Sequence, residues 1–243
     1  MTIEAPEPAG PANQLIEAAV RAGLSAIPLA GGAAVELFQA VVTRGREQRF
    51  QSWVVDLTDA VNRLLLEPRG ATFEDLSNDE AFMDVIGEAT RAAVETSDEV
   101  KIDALRNAVL NSAFQPDTGA DRRAILLDML VGLTPTHIKL LKLYDDPRAW
   151  YSDAGVPVPD IMMGGAGIVV KDAYPDLAAD KALLDYVVKD LGSKNLARID
   201  LGLSTTADSV FGSKTQQLGK ELIAFITEPE ASQGHPGGDQ QSA

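Results

Sequence analysis

Residues Ser77–Asp146 read SNDEAFMDVIGEATRAAVETSDEVKIDALRNAVLNSAFQPDTGADRRAILLDMLVGLTPTHIKLLKLYDD, and their spacing predicts four helices in a row. The first carries Phe82, Val85, Ile86, Ala89 and Ala93 on one stripe, with Ser77 and Glu80 placed as a capping box. Ser97 is the expected N-cap of the second, which carries Ile102, Leu105 and Val109 and stops before Pro116. The third carries Ile125, Leu126 and Met129. Thr134 as N-cap and Pro135 at the first helical position open the fourth, which carries Ile138, Leu141 and Tyr144 and closes at Asp146-Pro147. This is a scaffold pattern with no reaction centre in it.

Working outward, the 243 residues are enough for one large domain or two small ones. A hydrophobic content of 45% and a charged content of 23% are ordinary for a globular chain. With no cysteine, disulfides, thiolate metal sites and thiol nucleophiles are excluded. The acidic and Pro-rich first residues do not read as a secretion signal, so cytoplasmic placement is expected. Net charge is −15, of which residues 1–120 hold nine basic against nineteen acidic groups. Such a field repels phosphate and disfavours general nucleic-acid binding.

Residues 1–12 are Pro-, Ala- and Glu-rich and are expected to be disordered. From 13 to 46 an apolar helical hairpin is predicted. Leu15, Ile16, Ala19, Val20 and Leu24 form one arm, Ile27-Pro28-Leu29-Ala30-Gly31-Gly32 the hinge, and Val35, Phe38, Val41 and Val42 the other arm. Arg44, Arg46 and Arg49 follow at once. Two readings compete: a helix pair that completes a core, or an interfacial element at the inner membrane with arginines facing head groups. Under the second, Leu24, Ile27, Leu29, Val35, Phe38, Val41, Arg44 and Arg46 are the membrane or self-assembly contacts. Each arm is shorter than the ~20 apolar residues that spanning needs.

Residues 47–120 are read as a helical bundle. Phe50, Trp53, Val54, Leu57, Val61, Leu64 and Leu65 fall on one face, and Glu67-Pro68-Arg69-Gly70 stops that helix. It could run on from the hairpin's second arm as one helix from about Gly32 to Leu66, roughly 50 Å at ~1.5 Å per residue. Ala71–Asn78 reads as a linker. Arg148–Asp180 reads as irregular, with Met162, Ile168 and Val169 expected to bury against the bundle. Its run Met162-Met163-Gly164-Gly165-Ala166-Gly167 lacks the Lys-Ser/Thr ending of a phosphate loop.

Residues 121–227 change grammar. Leu183, Leu184, Val187 and Leu191 make a helix ending at Gly192. Leu196–Leu203 alternates with period two, Ser204-Thr205-Thr206 turns, and Ser209–Gln217 offers a return strand before a closing helix through Leu218, Leu222, Phe225 and Ile226. The order matches a winged-helix-like α+β module. Its contact residues would be Lys181, Lys189, Arg198 and Lys214, but Asp180, Asp185, Asp190, Asp200 and Asp208 balance them. A DNA reader needs a basic surplus, so a protein-contact or purely structural winged helix is the better reading. Residues 228–243 read as a disordered acidic tail.

The two histidines, His137 and His235, have no metal-pair spacing, and His137 reads as a first-turn surface residue without a catalytic partner. No catalytic, cofactor or metal residue is assigned. The fold expectation is thus mostly α: a helical bundle with an N-terminal apolar hairpin and a C-terminal winged-helix-like module. The chain also resembles the abortive-infection alpha-type group of bacterial proteins, associated with phage defence. The likeness lies in IPLAGGAAVELF, REQRFQSWVVDLTDAVNRL, the Ser77–Ala113 helices, LLDMLVGLTPTHIKLLKLYDDP, LLDYVVKDLGSKNLARIDL and QLGKELIAFI. It covers about residues 13–227, and Arg148–Asp180 is short for the group. What it implies is a helical, non-enzymatic, membrane-associated defence or toxicity role; from the residues themselves, a soluble oligomeric adaptor built on the long helix and a winged-helix transcriptional regulator are the alternatives.

Overall fold

The computed structural model describes residues 32–65, 73–114 and 119–229. It is mostly helical, with one small two-stranded sheet. In chain order the elements are α1 (Gly32–Leu65), α2 (Phe73–Asn78), α3 (Glu80–Glu95), α4 (Glu99–Phe114), α5 (Ala120–Gly132), α6 (Pro135–Asp145) and α7 (Pro147–Asp153). They continue with β1 (Met163–Gly164), α8 (Gly167–Ala173), α9 (Pro175–Ala179), α10 (Lys181–Ser193), β2 (Thr205–Thr206), α11 (Ala207–Val210) and α12 (Gln217–Ile226). The chain forms two compact units. Of the described residues, the first holds 32–65, 73–95, 109–114 and 228–229, the second 96–108 and 119–227.

In the first unit α1 is one uninterrupted helix of 34 residues, as its continuous apolar period suggests. Trp53, Leu57, Ala60 and Val61 are buried, spaced at three and four so that one stripe faces inward. That stripe packs on α3, whose own stripe is Phe82, Val85, Ala89 and Ala93. Two polar contacts fix the pairing: Trp53 Nε1 donates to Thr90 Oγ1 at 2.9 Å, and Arg49 Nε donates to the Val94 carbonyl at 2.7 Å. The second of these gives an acceptor in the last turn of α3 a positive partner.

Helix starts fall slightly later than the sequence pattern placed them. Asp79, not Ser77, accepts from the Phe82 amide (3.1 Å) at the start of α3, and Ser77 belongs to the short helix α2, where a linker was expected. Likewise Asp98, not Ser97, accepts from the Lys101 amide (3.3 Å) and opens α4. Asp and Ser cap equally well, so neighbouring candidates cannot be ranked by type alone. Thr134 and Pro135 do open α6.

The core of the second unit is built on α5, α6 and α12. Leu126, Leu127 and Leu130 are buried on α5, and Ile138, Leu140, Leu141, Leu143 and Tyr144 on α6. Ile125, expected inside, is exposed. On α12, Leu222, Phe225 and Ile226 are buried, and Asn107 Nδ2 donates to the Ile226 carbonyl at 3.2 Å. No single helix among the described residues is long and apolar enough to cross a membrane. The bent pair α5–α6 passes that test by composition, but its apolar residues form this core.

Arg148–Asp180 is more ordered than its prolines and glycines suggested. Asp146 caps α7 through the Ala149 amide (3.0 Å), with Pro147 at the first helical position. Tyr151 is buried between Trp150 and Phe211 and donates its hydroxyl to Asp172 at 2.7 Å. The glycine run is a packing device. A Cβ at Gly165 would stand 2.5 Å from the Leu201 carbonyl oxygen, which the Gly167 amide bonds at 3.1 Å. Tyr144 then donates to the Ala166 carbonyl at 2.9 Å, and burial raises its phenol well above its ordinary pKa.

The expected β-hairpin over 196–217 is reduced to a single rung. Arg198 donates to the Lys214 carbonyl and Gln216 to the Leu196 carbonyl, each at 2.8 Å, around the bridge Ala197–Thr215. Part of the predicted return strand is α11 instead. The sheet forms elsewhere, with Met163 antiparallel to Thr206 and Gly164 to Thr205. The alternation from Leu196 to Leu203 misled because Leu196 and Ala197 are both buried while Leu203 is exposed.

Candidate functional site

Helix α10 occupies the position of the predicted reading helix. Asp180 starts it by accepting from the Leu183 amide at 3.0 Å, and Asn195, at φ 56, turns the chain away after it. The stop is therefore at Ser193–Asn195, just past Gly192. Leu184, Val187 and Leu191 are buried, a spacing that fixes the inward face. Leu183, grouped with them by sequence, is exposed. On the opposite line lie Ala182, Tyr186, Lys189 and Ser193, all exposed, with Tyr186 retaining 63% of its surface.

Beside that buried stripe α10 meets α6 at a polar group that the sequence did not show. His137 is buried, only 3% exposed, rather than a surface residue. Its Nδ1 accepts from the Thr134 backbone amide at 3.3 Å and stands 2.6 Å from Thr134 Oγ1. An Nδ1 that accepts leaves the proton on Nε2, which lies 3.2 Å from Asp190 Oδ2 without hydrogen-bond alignment. Lys194 Nζ clasps the same carboxylate at 2.5 and 2.6 Å. The Tyr186 ring meets the imidazole edge-on at a centroid distance of 6.1 Å. Burial lowers the His137 pKa; Asp190 opposes that shift, while Lys194 and Lys101 add to it.

Thr134, His137 and Asp190 are residue types that can also do acyl transfer. Here the imidazole serves as the third residue of the α6 capping box, with its other nitrogen set against Asp190 of α10. Lys101 belongs to the same neighbourhood. It is 6% exposed, and its ammonium donates to the carbonyls of Leu130, Val131 and Leu133 at the end of α5. A cation on orphan carbonyls at a helix C-terminus is favourable, yet burial lowers its pKa to about 8.

The four basic residues read from sequence do not gather into one patch of free charge. Lys181 and Lys189 are exposed on α10, and Arg198 is exposed at the hairpin rung. Lys214 turns inward, donating to the carbonyls of Ser209, Val210 and Gly212 around the end of α11, and burial lowers its pKa. Of the predicted hairpin contacts, Leu24, Ile27 and Leu29 lie outside the described residues. Val35, Phe38, Val41 and Arg44 are placed by their α1 backbone alone, and Arg46 is half-buried on the same helix.

A second exposed apolar group borders the small sheet. Met162 is 91% exposed rather than buried; Met163 on β1 and Leu203, two residues before β2, are exposed as well. Val169 does pack inside, and Ile168 is half-buried. Among the described residues no three His, Cys, Asp or Glu side chains form a group able to hold a metal ion. Tyr186 could have been found from sequence, since it sits opposite the Leu184–Val187–Leu191 stripe. Asp190 as the partner of His137 could not, because the pair is long-range. In comparisons with protein-family models, curated proteins and solved structures, the chain matches none.

Proposed function

We propose that this chain is a non-enzymatic interaction protein of bacterial phage defence. Its C-terminal unit is a winged-helix-like module that contacts protein through α10, and its N-terminal apolar hairpin acts at the inner membrane. One observation carries the reading: the solvent face of α10 presents Leu183 and Tyr186 between charges of both signs. An exposed aromatic with mixed charge is the composition of a protein contact. A DNA-reading helix would show a basic surplus there, so the transcriptional alternative loses support. The defence role and the membrane hairpin follow from the family resemblance and the apolar pattern of residues 13–46.

Bacteria expressing the full chain under phage challenge test this. Plaque counts fall with the wild type and recover with Tyr186→Glu, a variant whose folding circular dichroism verifies. Equal protection by the variant overturns α10 as the contact surface. No protection against a broad phage panel overturns the defence role. A second reading, an oligomeric adaptor assembling through α1, is favoured by that helix's 34-residue length and by Val55, left exposed on it.

A further inference from the structure

We infer that α10 docks antiparallel on α10 of a second copy of this chain. The inference rests on the reading of α10 as a contact surface and names its occupant. Ala182, Tyr186, Lys189 and Ser193 recur at spacings of four, three and four, so they share one line along the helix, with Asp185 beside it. All five are exposed, and among the described residues neither Asp185 nor Lys189 has an ion-pair partner.

Charge order selects the partner and the direction. In a parallel pair, equivalent residues meet, setting Lys189 on Lys189 and Asp185 on Asp185. In an antiparallel pair centred between Tyr186 and Lys189, each Lys189 lies beside Asp185 and the Tyr186 ring of the other copy. Both contacts are then attractive, and the twofold axis makes each twice. Ala182 meets Ser193 at either end, and two small residues let the helix axes approach closely. The buried stripe on the far side keeps the line rigid.

Sedimentation of the full chain at micromolar concentration tests this with two single variants, Asp185→Lys and Lys189→Asp, each verified as folded. Each variant alone sets like charges against each other and should weaken self-association roughly tenfold or more. Mixed in equal amounts, they place Lys against Asp at both contacts and should restore the dimer. A monomeric wild type, or singles that associate as the wild type does, overturns self-docking. If Tyr186→Glu then still abolishes phage protection, α10 remains a contact surface for another protein. If it abolishes neither association nor protection, the broader reading falls as well.

Discussion

Lys101 carries a consequence on which the sequence pattern is silent. Its ammonium is buried on three carbonyls at the end of α5, and its pKa falls to about 8 in the folded state from an ordinary 10.5. A lowered lysine pKa means that the native state gives up its proton first as pH rises. The Lys101 contribution to stability should therefore be constant below pH ~7 and climb by roughly 2 kcal/mol between pH 7 and 10, at ~1.4 kcal/mol per pKa unit. Beyond pH ~10 the trend should reverse, because Tyr144 and Tyr151 are held protonated in the fold while unfolded phenols ionise. Urea midpoints across that range measure it, and in Lys101→Met the climb should vanish; a parallel climb in the variant would place its origin elsewhere. On the acid side, His137 has a lowered pKa because of burial, so stability should decline as pH falls below about 6.5. A His137→Asn variant should lose that dependence in the same titration. Neither residue's role was legible in the sequence. Lys101 serves carbonyls 29 to 32 positions away, and His137 meets an acid on α10. The i, i+3 and i, i+4 rules that reveal helix faces are blind to such pairs.

At the scale of the element, two glycines inside helices make opposite predictions. Gly87, within α3, has open space where a Cβ would stand. Gly219, near the start of α12, would put that carbon 2.0 Å from the Leu196 carbonyl oxygen. Helix propensity favours alanine at both by ~1 kcal/mol, and overpacking costs ~1–3 kcal/mol or more. Gly87→Ala should thus raise the urea midpoint by the equivalent of ~0.5–1 kcal/mol. Gly219→Ala should lower stability by at least ~2 kcal/mol, since backbone rather than a flexible side chain must give way. A neutral Gly219→Ala would mean that α12 slides freely past residue 196. Helices were the legible part of this chain. The stripes of α1, α3, α6 and α12 are each set by repeating local spacing, which survives without knowledge of neighbours. The 196–217 segment was misread because its alternation does not report burial there. Leu196 and Ala197 are adjacent and both inside, held by a single rung and by a Lys214 amide that donates to the Tyr144 carbonyl at 2.8 Å.

For the whole molecule the governing quantity is a net charge of −15, and it separates two ways of meeting a membrane. Anionic vesicles repel such a chain through the long-range field, while Arg44, Arg46 and Arg49 form a local basic group beside the apolar residues of the predicted hairpin. If apolar insertion dominates, added salt screens the repulsion and binding strengthens. If the arginines dominate, salt weakens binding, as for a polybasic segment. The apolar content of residues 22–42, where Glu36 is the single charge, favours the first. Flotation of the full chain with anionic vesicles should accordingly increase between low and physiological salt. A chain starting at Glu47, which keeps the Trp53 and Arg49 contacts with α3, should stay in solution while remaining folded. Flotation that falls with salt would assign the contact to the arginines. Loss of folding in the shortened chain, with no flotation by either form, would make the apolar residues a core element and leave α1 assembly as the account of the N-terminal half.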